Sequence, residues 1–214
     1  MVNTKNKQSG ITLVELMVVV AIFSVVSSVL LFKYSDFSTN VSLRNLSQDI
    51  ALSIRKSQTF ATSVRNANGP GDSSYPAYGI VFSLESQIDP YLPTPKRFIS
   101  FADFIPSGQS APNKIYDSNG TCGSPQEGAE CVEAITINSG DSIVEIETDV
   151  SGIVSSGSVH ITFRRPSPDA IICYIPSGQS SCVGQASYAK IKIRSAKGLT
   201  KVISVWNTGQ INVE

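Results

Sequence analysis

The chain has 214 residues, and about 150 of them follow a predicted N-terminal helical region, which is enough for one globular domain with its own hydrophobic core. Its 17 basic and 17 acidic residues give a formal net charge of zero, so the overall charge indicates no particular class of partner. The single histidine, His160, has no identifiable nucleophile or metal partner near it in sequence. No catalytic constellation is apparent, so the sequence predicts neither an enzyme nor a bound cofactor or metal.

An apolar run extends from Ile11 to Phe32 and contains one charged residue, Glu15. As a helix this run would be about 33 Å long, which is enough to cross a hydrocarbon core of roughly 30 Å. A carboxylate inside such a segment costs about 2.5 to 3.5 kcal/mol. Glu15 therefore needs a partner that compensates its charge.

Three kinds of segment fit an apolar N-terminal run. A secretory signal peptide would have a shorter apolar region, of about 7 to 15 residues, followed by a small-residue cleavage site, and neither is found here. A plain membrane anchor explains the length of the run but gives Glu15 no purpose. Cleavage between Gly10 and Ile11 would instead place Glu15 at the fifth position of the mature chain.

Residues 9–16, Ser-Gly-Ile-Thr-Leu-Val-Glu-Leu, resemble the type IV prepilin processing site. The resemblance implies that a prepilin peptidase cuts after Gly10 and methylates the new amine of Ile11. It also implies that the retained helix anchors the subunit in the membrane and then packs into a filament with other pilin or pseudopilin subunits. In that family the fifth mature residue is a glutamate, here Glu15, and its partner would be the Ile11 amine of a neighbouring subunit. Major pilins often carry a helix-kinking proline around the position of Phe32, and its absence here favours a minor subunit.

The charges around the run predict its orientation. Lys5 and Lys7 precede it with no acidic residue, and positive flanks stay in the cytoplasm, although Lys33 after the run argues weakly the other way. We therefore expect a single-pass inner-membrane protein with an extracytoplasmic C-terminal domain, found in a filament after assembly. The predicted segments are a leader (1–10), a transmembrane and amphipathic helix (11–66) and a β-rich domain (67–214).

Periodicity after the apolar run predicts an α+β, pilin-like fold. Apolar residues recur at helical spacing from Asn40 to Asn66, which indicates an amphipathic helix whose stripe faces the domain. The period then changes to two, which predicts an antiparallel sheet with the helix packed on one face. The predicted strands are Tyr78–Leu84, Ala134–Ile137, Ser142–Thr148, Val159–Phe163, Ile171–Ile175, Tyr188–Arg194 and Val202–Trp206.

Two further stretches, Leu46–Gln58 and Val205–Ile211, are similar to a helix and to the closing strand and turn of the FimT and GspH-like minor pseudopilins. This resemblance keeps two related functions open. One is a pseudopilin of a type II secretion system, and the other is a DNA-binding minor pilin for DNA uptake. A membrane-tethered enzyme is the least favoured class.

Four cysteines, Cys122, Cys131, Cys173 and Cys182, fall in the predicted exported domain, where an even number indicates disulfides. Three connectivities are possible. Pairing of Cys122 with Cys131 and of Cys173 with Cys182 is favoured, since each pair closes a loop rich in glycine and serine. A four-sulfur zinc site is disfavoured because its cysteines normally lie two to four residues apart.

Charge is distributed unevenly along the domain. Residues 69–150 hold 12 acidic and 3 basic residues, whereas residues 151–214 hold 7 basic and 2 acidic residues. Cations on alternate strand positions share one face and could follow a phosphate backbone. A solvated face, or contact with the acidic surface of another subunit, is favoured over DNA because no aromatic platform is interleaved. The basic residues are Arg164, Arg165, Lys190, Lys192, Arg194, Lys197 and Lys201.

Three local features of the domain can also be predicted from the sequence. A hairpin of Lys190–Arg194 with Val202–Val205 should turn Ile191 and Ile193 inward and the cations outward. His160 should lie on the surface. Residues 117–120, Asp-Ser-Asn-Gly, should form a turn, because the later glutamate of a calcium loop is absent.

Overall fold

The computed structural model describes residues 10–63, 65, 75–86, 89–104, 113–117, 122–123 and 129–214. The chain forms two compact units, Met1–Asn40 and Val41–Glu214. One helix, α1 (Leu13–Thr62), contributes residues to both, and the strands described after it all belong to the second unit. The strands are β1 (Ala77–Ser83), β2 (Arg97–Asp103), β3 (Cys131–Thr136), β4 (Ser142–Thr148), β5 (Gly152–Val154), β6 (Ser158–Phe163), β7 (Ala170–Ile175), β8 (Gln185–Ala186), β9 (Tyr188–Arg194), β10 (Thr200–Trp206) and β11 (Ile211–Val213).

The first unit contains the apolar part of α1. Its described large side chains are exposed in the single chain, from Leu13 at 74% to Phe37 at 67%, and the length and composition of the helix allow it to cross a membrane. The hydroxyls of Ser24 and Ser28 donate to carbonyls four residues earlier, so these polar groups are satisfied inside the helix. The unit therefore has the surface of a segment that lies in lipid or against other helices.

In the second unit, α1 is amphipathic, as predicted. Leu43, Ile50, Ile54 and Ala61 are buried in the domain core at helical spacing. The sequence predicts a helix over 11–66, and α1 is shorter at both ends. Val64 and Asn66 lie outside the described residues.

The strands form two antiparallel sheets where the sequence predicts one. The first sheet has six strands in the order β3-β2-β1-β6-β7-β8, and the second has five in the order β11-β10-β9-β4-β5. Residues from α1 and from both sheets share one core cluster, so the helix and the two sheets enclose a common interior. The predicted fold class, α+β and pilin-like with antiparallel strands, is confirmed.

A second, smaller hydrophobic cluster explains why β2 could not be predicted from the alternation of apolar and polar residues. Val81, Ile99 and Phe101 pack on the other face of the six-stranded sheet with Tyr116 and Cys131. Strand β2 is thus buried on both faces and shows no alternation of apolar and polar residues. Strands β5, β8 and β11 have only two or three residues, which is too short to establish a period.

Candidate assembly segment and interaction surfaces

The proposed processing site lies just before the helix. Gly10, Ile11 and Thr12 are not helical, and Ile11 is 75% exposed. A methyl group added to Gly10 would meet no described atom within 4 Å, so none of the described residues requires glycine there.

Glu15 has a local structural role that sequence analysis did not identify. Its backbone N–H donates to the hydroxyl of Thr12 at 3.2 Å, so Thr12 caps the first turn of α1. The pattern Thr-x-x-Glu is the signature of a capping box, in which the glutamate side chain returns towards the cap. A negative charge in the first turn is also favourable to the helix dipole. A glutamate at this position can therefore support the start of α1.

Residues 5–31 match the family model of the prokaryotic N-terminal methylation motif. The N-terminal segment is type IV pilin-like. No curated protein and no solved structure matches the chain at a significant level. The motif implies processing by a prepilin peptidase and assembly with other pilins, and the apolar α1 that it covers is consistent with membrane anchoring.

In the second unit, the stretches Leu46–Gln58 and Val205–Ile211 lie in contact. The side-chain amide of Gln58, on α1, donates to the carbonyls of Pro168 (2.8 Å) and Gly209 (3.2 Å). Gly209 has a φ of 78°, and a methyl group there would lie 2.5 Å from that amide nitrogen. Only glycine combines this backbone conformation with so close an approach.

The cysteines form two disulfides, so the expectation of disulfide bonding is confirmed. Cys122 is bonded to Cys131 and Cys173 to Cys182, and each pair is separated by nine positions. These are the pairings that the loop composition favours. The first bond fixes the described part of the 117–131 loop to β3, and the second fixes the loop after β7 to that strand.

The basic residues belong to two different sheets and their connections. Arg164 and Arg165 follow β6 in the six-stranded sheet, whereas the remaining five lie on β9, on β10 or in the turn between them. The guanidinium of Arg165 lies 4.8 Å from the centre of the Tyr75 ring. The sequence segment rich in cations is therefore divided between two sheets.

Two of the cations on β9 are paired within the domain. Nζ of Lys190 lies 2.9 Å from Glu147, and Nζ of Lys192 lies 3.1 Å from Glu145, because β4 and β9 place these residues opposite each other. The hydrogen bond with Lys190 lowers the pKa of Glu147, and the same bond raises the pKa of Lys190. The acidic half of the sequence thus folds directly beside the basic half.

The hairpin register itself agrees with the sequence prediction. Ile191 and Ile193 are fully buried, and Ile191 lies opposite Ile203. The register also places Tyr188 opposite Trp206, on the same face as Lys190 and Lys192. Sequence analysis missed this aromatic pair because its two members are 18 positions apart.

The expectation of a surface histidine is wrong. His160 is 4% exposed, and its Nδ1 accepts a hydrogen bond from the backbone N–H of Tyr116 at 3.0 Å. Burial lowers its pKa to about 3, so the ring is neutral and carries its proton on Nε2, which faces the hydroxyl of Ser158 at 3.2 Å. A protonated Nε2 cannot take the serine proton, so this pair is not arranged to activate a nucleophile.

Two buried carboxyls beside residues 113–117 were also missed, since isolated acids at strand ends give no sequence signal. Asp103 accepts from the Lys114 N–H through Oδ2, and Glu130 accepts from the Phe104 and Asp117 N–H groups. Burial raises the pKa of Asp103 to about 7 and that of Glu130 to about 8. Within the described residues, Asp103 Oδ1 has no hydrogen-bond partner, and no three acidic, histidine or cysteine side chains form a metal-binding group. The predicted turn at 117–120 lies mostly outside the described residues.

Proposed function

We propose that this chain is a minor type IV pilin or pseudopilin: a structural subunit that is cleaved after Gly10, N-methylated on Ile11, inserted in the membrane and assembled into, or priming, an extracytoplasmic filament. The observation that carries the proposal is the methylation motif at residues 5–31, which ends within an exposed apolar helix. Residues 1–10 would be the leader, and the domain after α1 would be displayed outside the inner membrane. The resemblance of Leu46–Gln58 and Val205–Ile211 to FimT and GspH-like subunits supports a relationship to them.

Glu15 has a defined part in this proposal. Its carboxylate would pair with the methylated amine of Ile11 on a neighbouring subunit, which lowers the cost of holding both charges in lipid. Ile11 and Glu15 are both exposed within a single chain, so each is accessible to a second copy or to another pilin.

Cleavage tests the proposal, and Gly10 offers the sharpest variant. Because nothing described lies within 4 Å of a methyl group at Gly10, a larger residue there leaves the subunit fold intact and obstructs only a peptidase. We expect Gly10→Leu to keep its leader in membranes that contain a prepilin peptidase, and the neighbouring Ser9→Ala change to be cleaved normally. Peptide mapping of membrane extracts distinguishes the two. Normal removal of the leader from Gly10→Leu would exclude cleavage at this site by such an enzyme.

DNA binding during uptake is a second candidate function, favoured by one observation. Tyr188 and Trp206 lie side by side on the face that carries Lys190 and Lys192, and aromatic rings with cations can hold a single strand. Glu145 and Glu147 form ion pairs with both lysines on that face, and their carboxylates would repel phosphates. Contact with another subunit is therefore the favoured role of this face. This holds whether the filament is a pilus or belongs to a type II secretion system.

A further inference from the structure

We propose that the groove between α1 and the edge strand β11 binds an extended acidic peptide segment of a partner protein, which adds as a further strand to the five-stranded sheet. This surface lies in the Val41–Glu214 unit and does not depend on cleavage at Gly10. It can therefore fail while the pilin-like assignment stands.

The register of β10 and β11 leaves an open edge. Val202 and Glu214 exchange backbone hydrogen bonds, and the Trp206 N–H donates to Gln210, so the hydrogen-bonded pairs fall at every second position. Ile211 and Val213 lie between those pairs, and their N–H and C=O groups point away from β10. No hydrogen bond from the described residues reaches these outward groups.

A groove of about 370 Å³ lies along this edge. One wall is β11, and the other is the flank of α1 formed by Gln48, Ala51, Leu52 and Arg55. Leu52 is 65% exposed and gives the groove an apolar element. Unpaired backbone groups beside an apolar contact are the two features that strand addition uses, the first for affinity and the second for side-chain selection.

The charges on the α1 flank favour an acidic peptide in the groove. Arg44 lies on the same flank of α1 as Gln48, Ala51 and Arg55, since these positions are separated by four, seven and eleven residues. The one acid of α1 between residues 41 and 62, Asp49, lines the opposite flank together with Ile135 of β3. Glu214 ends the strand side of the groove, where its carboxylate accepts from the Asn212 amide. A carboxylate on an incoming strand would meet Arg44 or Arg55.

A second copy of this chain fits less well. Pairing β11 with β11 would bring a second set of arginines to the same groove, where like charges repel. The sequence of β11, Ile-Asn-Val, contains none of the lysine or proline residues that protect many edge strands. The occupant is therefore a heterologous acidic strand.

Amide hydrogen exchange of the full-length protein in detergent micelles tests the proposal. The probes are two synthetic peptides, Thr-Val-Glu-Val-Glu-Val-Thr and its counterpart with lysine in place of glutamate. We expect the acidic peptide to slow exchange of the Ile211 and Val213 amides by about tenfold, and the basic peptide to have no effect. Arg55→Glu and Arg44→Glu should each weaken binding of the acidic peptide. The double variant should bind the basic peptide more tightly than the acidic one.

Lys96→Glu is the matched control, because it makes the same change in net charge at an exposed loop position outside the groove lining. It should leave the protection unchanged. Three results would overturn the proposal. They are equal protection of the Ile211 and Val213 amides by both peptides, no protection by either peptide, and slow exchange that depends only on protein concentration. The last of these would assign the groove to a second copy.

Discussion

Glu15 is the residue on which the assembly account depends, and two explanations of it predict different mutants. The observed cap is a bond from the Glu15 backbone N–H to Thr12, and the reciprocal side-chain bond of a capping box can be made by glutamine as well as by glutamate. Pairing with the Ile11 amine requires a negative charge. Replacement by glutamine therefore separates a local role in the helix from a role between subunits.

We predict that Glu15→Gln and Glu15→Ala are both processed and that both are poorly incorporated. Loss of a charge-assisted pair in a poorly hydrated setting costs about 1.5 to 3 kcal/mol, or roughly a tenfold or larger loss of association. Co-purification with partner subunits from cross-linked membranes measures it. Normal incorporation of the glutamine variant alongside a defective alanine variant would reduce Glu15 to a capping residue.

Asp103 gives a pH dependence whose sign is fixed by burial. Its folded-state pKa, about 7, is raised from 3.8, so between these values the folded state binds a proton that the unfolded state has lost. The free energy of unfolding therefore falls as pH rises through this window, by an amount on the order of a few kcal/mol. Asp103→Asn should reduce the decline in the free energy of unfolding, measured with urea, between about pH 4 and pH 7, and the part due to Glu130 should remain.

The choice of Asp103 rather than Glu130 follows from their partners. The amide nitrogen of an asparagine can replace Oδ1, which has no partner among the described residues, while its oxygen keeps the Lys114 bond. In Glu130→Gln the amide would face a backbone N–H, because both oxygens of Glu130 accept from the backbone. That variant should lose stability at every pH. A parallel pH profile for Asp103→Asn and wild type would contradict a buried protonated carboxyl.

At the scale of elements, sequence patterns predict what is local and one-sided. The β9–β10 hairpin follows its alternation of isoleucine and lysine, and the stripe of α1 follows its helical spacing. Strand β2 could not be predicted from alternation, because it is buried on both faces. The pairing of β4 with β9 could not be predicted, because no local sequence pattern encodes it. For the same reason the basic face could be predicted, but its neutralisation by Glu145 and Glu147 could not.

The contact between α1 and the β10–β11 turn is tested by Gly209→Ala. A φ of 78° strains any residue with a side chain, and here the added methyl group also meets Gln58 and the carbonyl of Pro168. Gly178→Ala is the matched control, since Gly178 has a φ of 76° with no atom close by. In thermal unfolding, we expect a loss of about 1 kcal/mol for the control and at least twice that for Gly209→Ala. Equal losses of stability in the two variants would mean that α1 moves away from the added methyl group with no loss of free energy.

The ion pairs between β4 and β9 predict how the basic face behaves with DNA. Replacing Lys190, Lys192 and Arg194 by glutamine should leave the fold intact, because exposed ion pairs contribute about 0 to 1 kcal/mol each. We expect weak DNA binding by full-length wild-type protein even at low salt, with little change in the triple variant. Strong wild-type binding whose salt slope falls by about 2.7 in that variant would instead assign this face to DNA.

For the whole molecule, the pilin-like N-terminal segment and the fold class could be predicted, because a short motif, an apolar run and the periodicity after it carry them. The division into two sheets could not, since it depends on strand pairings between distant residues. The two disulfides are the covalent part of that tertiary structure, and each closes a loop of about ten residues, worth roughly 2 to 3 kcal/mol. Non-reducing peptide mapping should recover Cys122 with Cys131 and Cys173 with Cys182. Free thiols or crossed pairs would contradict this fold.

The pilin-like assignment is tested most directly by the N-terminal peptide of wild-type protein extracted from native membranes. Mass spectrometry should find a chain that begins at Ile11 and carries one methyl group on its terminal amine, with Glu15 as its fifth residue. A mature chain that keeps residues 1–10, or one cut after the apolar run, would contradict the account at its origin.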